Sequence, residues 1–322
     1  MSDALALWPG PERPYSTDVI GIGENSLDRV GVVESLARPG GKEPLVEYSE
    51  QPGGQVATAV LACSRLGLRC AYVGAVGNDA DAEAVLAPLG AAGVDLSGIK
   101  RVGGARTRLA MILVERASGE RSVHGFRGAR LALEASDLSR ESIERARVLL
   151  LDAGDPEAAI WAARIARGSG TAVVLDADRA DSGLEKLLDH VDFPIVSEAF
   201  AESLQGDGEA SDTALRELVA HGARLAVVTL GARGALGRAG DRVIASPAHP
   251  VSCLDSTGAG DAFRAGFIWA LLQGQGAEQV LRAANAAAGI NCRARGAQGG
   301  LANRAELEAF LHANPTTAQA DR

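Results

Sequence analysis

The sequence predicts an α/β protein: a three-layer αβα sandwich around a mostly parallel central sheet, carrying a small antiparallel β lid. Two observations carry that prediction. Apolar runs of strand length alternate with helix-like stretches along most of the 322 residues. That rhythm implies right-handed crossovers and a parallel sheet with helices on both faces. Two regions, about 29–50 and 105–127, break it with Gly/Pro-rich or hairpin-like patterns and read as an inserted accessory sheet.

Along the chain, residues 1–17 form an N-terminal extension, and 18–22 are a buried strand ending among Gly21 and Gly23. Residues 54–66, rich in Ala, Val and Leu, read as a helix stopped by Gly67, with 70–74 as the next strand. Residues 79–89 form a second helix, with Asn78 or Asp79 at its N-cap. The lid takes alternating pieces at 29–34 and 45–49, then a hairpin of 106–115 and 120–126 around a turn at 117–119. Apolar runs at 148–151, 172–175, 193–196 and 225–229 give four further strands. Helical stretches at 156–167, 183–190, 198–204 and 213–221 lie among them. One domain, 18–312, accounts for the pattern, and 313–322 form a polar tail.

Lys and Arg total 32 against 41 Asp and Glu, a net charge of −9 that argues against a nucleic-acid face. Backbone dipoles still allow a small anion to bind an acidic protein. No apolar run approaches the roughly 20 residues that span a bilayer, and the first residues lack the pattern of a secretory signal. Cys63, Cys70, Cys253 and Cys292 show no metal-ligand spacing and read as free thiols in a reducing cytosol.

The segment 254–267, LDSTGAGDAFRAGF, carries the chemistry. Gly258, Ala259 and Gly260 lead into an apolar helical run, and a helix N-terminus presents unpaired amides and about half a positive charge. Asp261 stands in the first turn. A carboxylate converging with anion-binding amides makes sense if it takes a proton from a nucleophile while the amides hold developing phosphate charge. A plain cap by Ser256 or Thr257 with a dipole-favoured Asp is the alternative. No Gly-x-x-x-x-Gly-Lys-Ser/Thr loop is present.

DSTGAGDAF resembles the C-terminal motif of the ribokinase-like (PfkB-type) carbohydrate kinases. GGQVATA at 53–59 running to Arg65-Leu66-Gly67, then VGAVGND at 73–79, resembles their N-terminal motif. VTLG at 228–231 with Gly234, Asn285 within 283–287, and GAQGG at 296–300 follow in the family's order. The resemblance spans roughly 18–312 and includes the ketohexokinase and sulfofructose kinase branches.

The resemblance implies ATP-dependent phosphorylation of a sugar hydroxymethyl group, with Asp261 as general base and the amides of Gly258, Ala259 and Gly260 as anion hole. On the sugar side it implies Asp28, with Asn25, Gly53, Gly54, Gln55 and Thr58. Thr229, Gly231, Gly234 and Asn285 fall where the nucleotide is held. Asp255 and Thr257 would flank a monovalent cation such as K⁺, completed by carbonyls around 295–300. Mg²⁺ accompanies the nucleotide. A homodimer through the lid, a cytoplasmic location, and no membrane or nucleic-acid partner complete the expectation.

Two departures stand out. Thr58 replaces the family's substrate-holding Asn, giving one donor where an amide gives two. Ser197-Glu198-Ala199-Phe200 replaces its Asn-x-x-Glu, which orders the metal; Glu198 could act through water, or simply be solvated. Arg127, ending the second lid strand, is a candidate for a substrate anion or a partner's lid. Asp152, Asp155, Asp176 and Asp178 lie at strand ends facing the crevice, as carboxylates for metal or as helix caps. A nucleoside kinase and a silent binding protein of the same fold are the alternatives to a sugar kinase. The intact Asp261 and glycine run argue against the silent copy.

Overall fold

The computed structural model describes residues 7–10, 13–38, 40–117, 121–179, 183–204 and 209–315. The chain opens with β1 (Thr17–Ile22), then enters the lid through β2 (Ser26–Val33) and β3 (Glu47–Gly53). It returns to the body with α1 (Gln55–Arg65), β4 (Cys70–Val73), β5 (Ala75–Gly77), α2 (Ala80–Ala91) and β6 (Lys100–Val102). Asp79 caps α2, its carboxylate accepting from Ala82 N as the sequence suggested. A second excursion builds β7 (Leu109–Glu115) and β8 (Arg121–Phe126). The predicted hairpin turn includes residues outside those described.

The second half repeats strand and helix. It runs through α3 (Arg140–Glu144), β9 (Ala146–Asp152), α4 (Pro156–Ser169), β10 (Ala172–Ala177), α5 (Leu184–Leu188) and β11 (Phe193–Ser197). Next come α6 (Glu198–Ser203), α7 (Ala210–Ala220), β12 (Ala226–Thr229), β13 (Ala235–Ala239) and β14 (Arg242–Ser246). The chain closes with α8 (Ala259–Leu272), α9 (Ala277–Asn291) and α10 (Arg304–Ala313).

Eight strands form the central sheet in the order β14-β13-β12-β11-β10-β9-β1-β4. All neighbours from β12 to β4 run parallel, while β12, β13 and β14 pair antiparallel. Both faces are covered, so the strands are apolar throughout. In β9, Val148 and Leu150 join a core with α1, α8 and α9, while Leu149 and Leu151 face α4 and α7. Two features lie outside the sequence reading: the β13–β14 hairpin, whose Arg and Gly residues blur its alternation, and the short parallel pair β5–β6.

The lid is a four-stranded sheet, β3-β2-β7-β8. Two antiparallel pairs, β2–β3 and β7–β8, are joined by a parallel register between β2 and β7. Its third strand begins at Glu47 rather than 45, and Leu45 and Val46 stay exposed outside it. Described residues ahead of β1 pack on the body. Trp8 is buried in the core, and Arg13 donates to the Ser169 carbonyl at 2.7 Å and to Thr171 Oγ1 at 2.6 Å.

Candidate active site

Parallel strands deliver their C-terminal ends to one edge, and the chain reverses direction across the sheet between β1 and β9. That is where α/β proteins bind ligands. Asp152, the last residue of β9, bridges this seam: its carboxylate accepts from Glu24 N at 2.7 Å and Gly154 N at 2.9 Å. A Cβ on Gly23 would lie 2.7 Å from Asp152 Cγ, so the position needs glycine. Burial pushes the Asp152 carboxyl up to about 6. Above it opens a narrow crevice lined by Glu24, Asn25, Arg108, Arg127, Asp152 and Asp155.

The residues expected on the sugar side gather at the base of the lid. Asp28 is buried and accepts from Ser26 Oγ at 2.6 Å. Burial raises its pKa, with the Ser26 hydrogen bond opposing. Gly53 packs against this carboxylate, and Gly54, in the left-handed region at φ 91°, caps α1 against the Asn25 backbone. Asn25 itself is a frame residue: Nδ2 donates to Tyr72 Oη at 3.0 Å and to the Ala75 carbonyl at 3.2 Å. Gln55 donates to Asp178 Oδ2 at 2.6 Å. Thr58 is fully buried, and its Oγ1 accepts from Gln298 Nε2 at 3.3 Å, which brings the first and last glycine motifs together.

The phosphate side is a turn clamped from below. Gly258 takes a left-handed conformation, φ 75°, at the N-cap of α8, and a Cβ there would lie 2.7 Å from Ala297 Cα. Asp255 accepts from Thr257 N and Gly296 N, both at 2.8 Å. Asn291, which sequence reasoning passed over as one polar residue in an Ala-rich helix, donates to the Thr257 and Ala297 carbonyls at 3.1 and 3.2 Å. These hydrogen bonds tie the Asp255–Thr257 turn to Gly296, Ala297 and Asn291.

Asp261 stands, half-buried, in the first turn of α8. The positive helix terminus favours the ionised carboxylate, and burial opposes it. Desolvation first, then the neighbouring carboxylates of Asp176, Asp178 and Asp28, raise its pKa well above the usual range, while Arg264 opposes them. A raised value suits a general base, which works best near the operating pH. Asp176 on β10 is not a helix cap: it is buried and meets Arg264 at 2.5 Å.

The family model of the pfkB family carbohydrate kinases matches residues 16–313. The chain belongs to that family. It is 32% identical over 299 residues to ribokinase of Bacillus subtilis, covering 90% of this chain and 98% of the relative. It is also similar to fructokinase-1 of Oryza sativa subsp. japonica, 30% identical over 314 residues with 90% and 96% covered. The crystal structure of a putative ribokinase from Agrobacterium tumefaciens superposes with a TM-score of 0.85 at 27% identity, covering 95% of this chain and 99% of that one. As a pfkB carbohydrate kinase, the protein phosphorylates a sugar hydroxyl.

In this pfkB kinase the remaining expected residues fall in three places. Thr229 ends β12, its hydroxyl donating to the Val196 carbonyl at 3.3 Å, and Gly231 and Gly234 turn away after it with φ of 56° and 95°. Asn285 lies beneath that region, donating to Ser246 O at 3.0 Å and Ser246 Oγ at 2.9 Å, so it supports the loop after β14 from inside. Glu198 forms an ion pair with Arg233 at the start of α6. No His, Cys, Asp and Glu cluster that could hold a metal occurs among the described residues.

Arg127 lines the crevice. It meets Asp155 at 2.5 Å and donates to the Gly154 and Leu131 carbonyls, both at 3.1 Å, latching the lid to the end of β9. Arg108, unmarked in the sequence, forms the matching ion pair with Glu24. Among the described residues no helix is long and apolar enough to cross a membrane.

Proposed function

We propose that the protein transfers the γ-phosphoryl group of MgATP to a hydroxymethyl group of a small uncharged sugar. The observation that carries this reading is Asp261 in the first turn of α8, behind the Gly258–Gly260 turn, with Asp28 of the lid base among the carboxylates around it. The sugar lies against Asp28, Gly53, Gly54 and Thr58 with its reacting hydroxyl at Asp261. The hydroxyl oxygen attacks the γ-phosphorus, the bond to the β–γ bridging oxygen breaks, and the hydroxyl proton passes to Asp261. Magnesium arrives with the nucleotide as part of the substrate. The amides of Gly258 and Gly260 face the transferred group, whereas Ala259 N, also expected there, donates to the Ser256 carbonyl at 3.2 Å; the demand on the protein is positioning and charge neutralisation.

Charge supports an uncharged acceptor. Glu24, Asp152 and Asp155 line the crevice, and Asp28, Asp176 and Asp178 stand around Asp261. The arginines there are already paired, Arg108 with Glu24, Arg127 with Asp155 and Arg264 with Asp176. A sugar phosphate or sugar acid would have to break such pairs and face the remaining carboxylates. Neutral hydroxyls can accept from the arginines and donate to the acids without breaking them.

A coupled ADP-release screen over ketohexoses, aldopentoses, deoxyketoaldonates, sugar phosphates and nucleosides tests the reading, run with and without K⁺. Turnover with a neutral sugar above all others is expected. A preference for an anionic sugar or a nucleoside overturns the acceptor class. We further propose that two copies pair through the lid in the cytoplasm, where ATP is supplied. Register places Tyr48, Met111 and Phe126 on one lid face, each more than half exposed. Light scattering that finds only monomer at micromolar concentration would count against the pairing.

A further inference from the structure

Arg264 lies one turn beyond Asp261 on α8 and is buried, with 3% of its surface exposed. Side chains on a helix lean toward its N-terminus, which carries the guanidinium back to the level of Gly260. A Cβ on Gly260 would lie 2.5 Å from Arg264 Nη1. Nη2 donates to the Ile195 carbonyl at 3.1 Å and meets Asp176 Oδ1 at 2.5 Å. These anchors sit on β11 and β10, at the sheet edge that carries the site. Nε has no hydrogen-bond partner. Burying an arginine this incompletely satisfied costs stability that an apolar residue would not, so packing alone does not account for it.

The charges around Asp261 do. Asp28 faces it from β2, Asp176 from β10, Asp178 from just beyond β10, and Arg264 from its own helix. Three acids crowd the position, and Arg264 is the cation set among them. We propose that Arg264, clamped by Asp176 and the Ile195 carbonyl against Gly260, is the positioning residue that keeps Asp261 ionised enough to accept the hydroxyl proton. Asp176 has the second role of aiming that guanidinium, and Gly260 is glycine because the guanidinium lies against it. The inference rests on Asp261 being the base.

The test is the pH dependence of kcat/KM for the best neutral sugar at saturating MgATP. The wild-type enzyme must first turn over with an acidic limb; absence of turnover refutes the proposed function itself. Opposite charges a few ångströms apart shift a carboxyl by about 1–3 pH units. Arg264→Met should therefore move the acidic limb up by about one unit or more. Asp176→Asn, which removes a neighbouring acid and keeps the arginine, should move it down. Arg264→Met with Asp176→Asn should return the limb toward wild type, and Arg264→Lys should rescue most of the shift. Should Arg264→Met not fold, Asp176→Asn and the double variant decide. A limb fixed at one pH in every folded variant, or displaced in the same direction by both single changes, overturns the proposal.

Discussion

Gly53 packs directly on Asp28: a Cβ added to Gly53 would lie 2.6 Å from Asp28 Cγ. The glycine and the acid thus form one unit at the base of the lid, although 25 positions separate them in the sequence by number alone. Asp28→Ala should raise the sugar KM about 10- to 100-fold, the loss of a charge-assisted hydrogen bond worth about 1.5–3 kcal/mol. Gly53→Ala should displace the carboxylate and raise the sugar KM in the same way. The ATP KM should change little in either variant. Steady-state kinetics with each substrate varied in turn check this; equal weakening toward both substrates would mark a structural role.

Asp261→Asn keeps side-chain size but cannot accept the hydroxyl proton. Losing a general base typically costs about 10²–10⁴-fold in rate. We expect kcat to fall by that factor with the melting temperature nearly unchanged and both substrates still bound. Retention of more than half of wild-type kcat would remove Asp261 from the chemistry.

Gly258→Ala should behave differently. The position has φ 75°, and a Cβ would press on the Ala297 backbone at 2.7–2.8 Å. A left-handed conformation costs an ordinary residue about 1–2 kcal/mol before any clash. Both stability and nucleotide binding should fall, because the turn and the 295–300 segment must separate. Thermal melts with and without MgATP check this, the variant losing most of the stabilisation that the nucleotide gives wild type.

Asp18 offers a pH test away from the site. Burial raises its pKa, but bonds from Arg69 and Arg147 outweigh that and leave it below the usual value. A lowered native pKa means stabilisation that is complete above the unfolded value and lost as pH falls through the native one. Asp18→Asn should therefore cost about 1.5–3 kcal/mol at pH 7. The difference from wild type should shrink below about pH 4. Urea unfolding at both pH values measures it.

The alternation of apolar strands and amphipathic helices made the parallel body legible, and the glycine motifs named the turns at Gly54 and Gly258 that begin α1 and α8. What stayed hidden has a common physical reason. Arg264, Arg108 and Asn291 act through partners more than 30 positions away in the chain: Asp176, Glu24 and Thr257. A single arginine or asparagine in a helix or strand reads locally as a solvated residue. The ion pairs of Glu198 with Arg233 and Arg127 with Asp155 were equally invisible, since local position near the site gives no sign of either partner. The β13–β14 hairpin escaped because its pattern carries Gly and Arg where alternation would show apolar residues.

The seam between β1 and β9 also sets a timetable for biosynthesis. Ile22 has Leu151 as its neighbour, so the crevice floor stays unmade until the ribosome has finished β9. The face of β10, β11 and β12 that holds Val174, Ile195 and Val227 then waits for Phe267 on α8 and Val280 on α9. At about 5–20 residues per second, the roughly 100 residues between β9 and α8 take on the order of 5–20 s to emerge. During that interval a nascent chain presents an apolar sheet face without its helical cover. Chaperone demand should therefore be greatest in this window, and truncations just before α8 should be the most prone to aggregate.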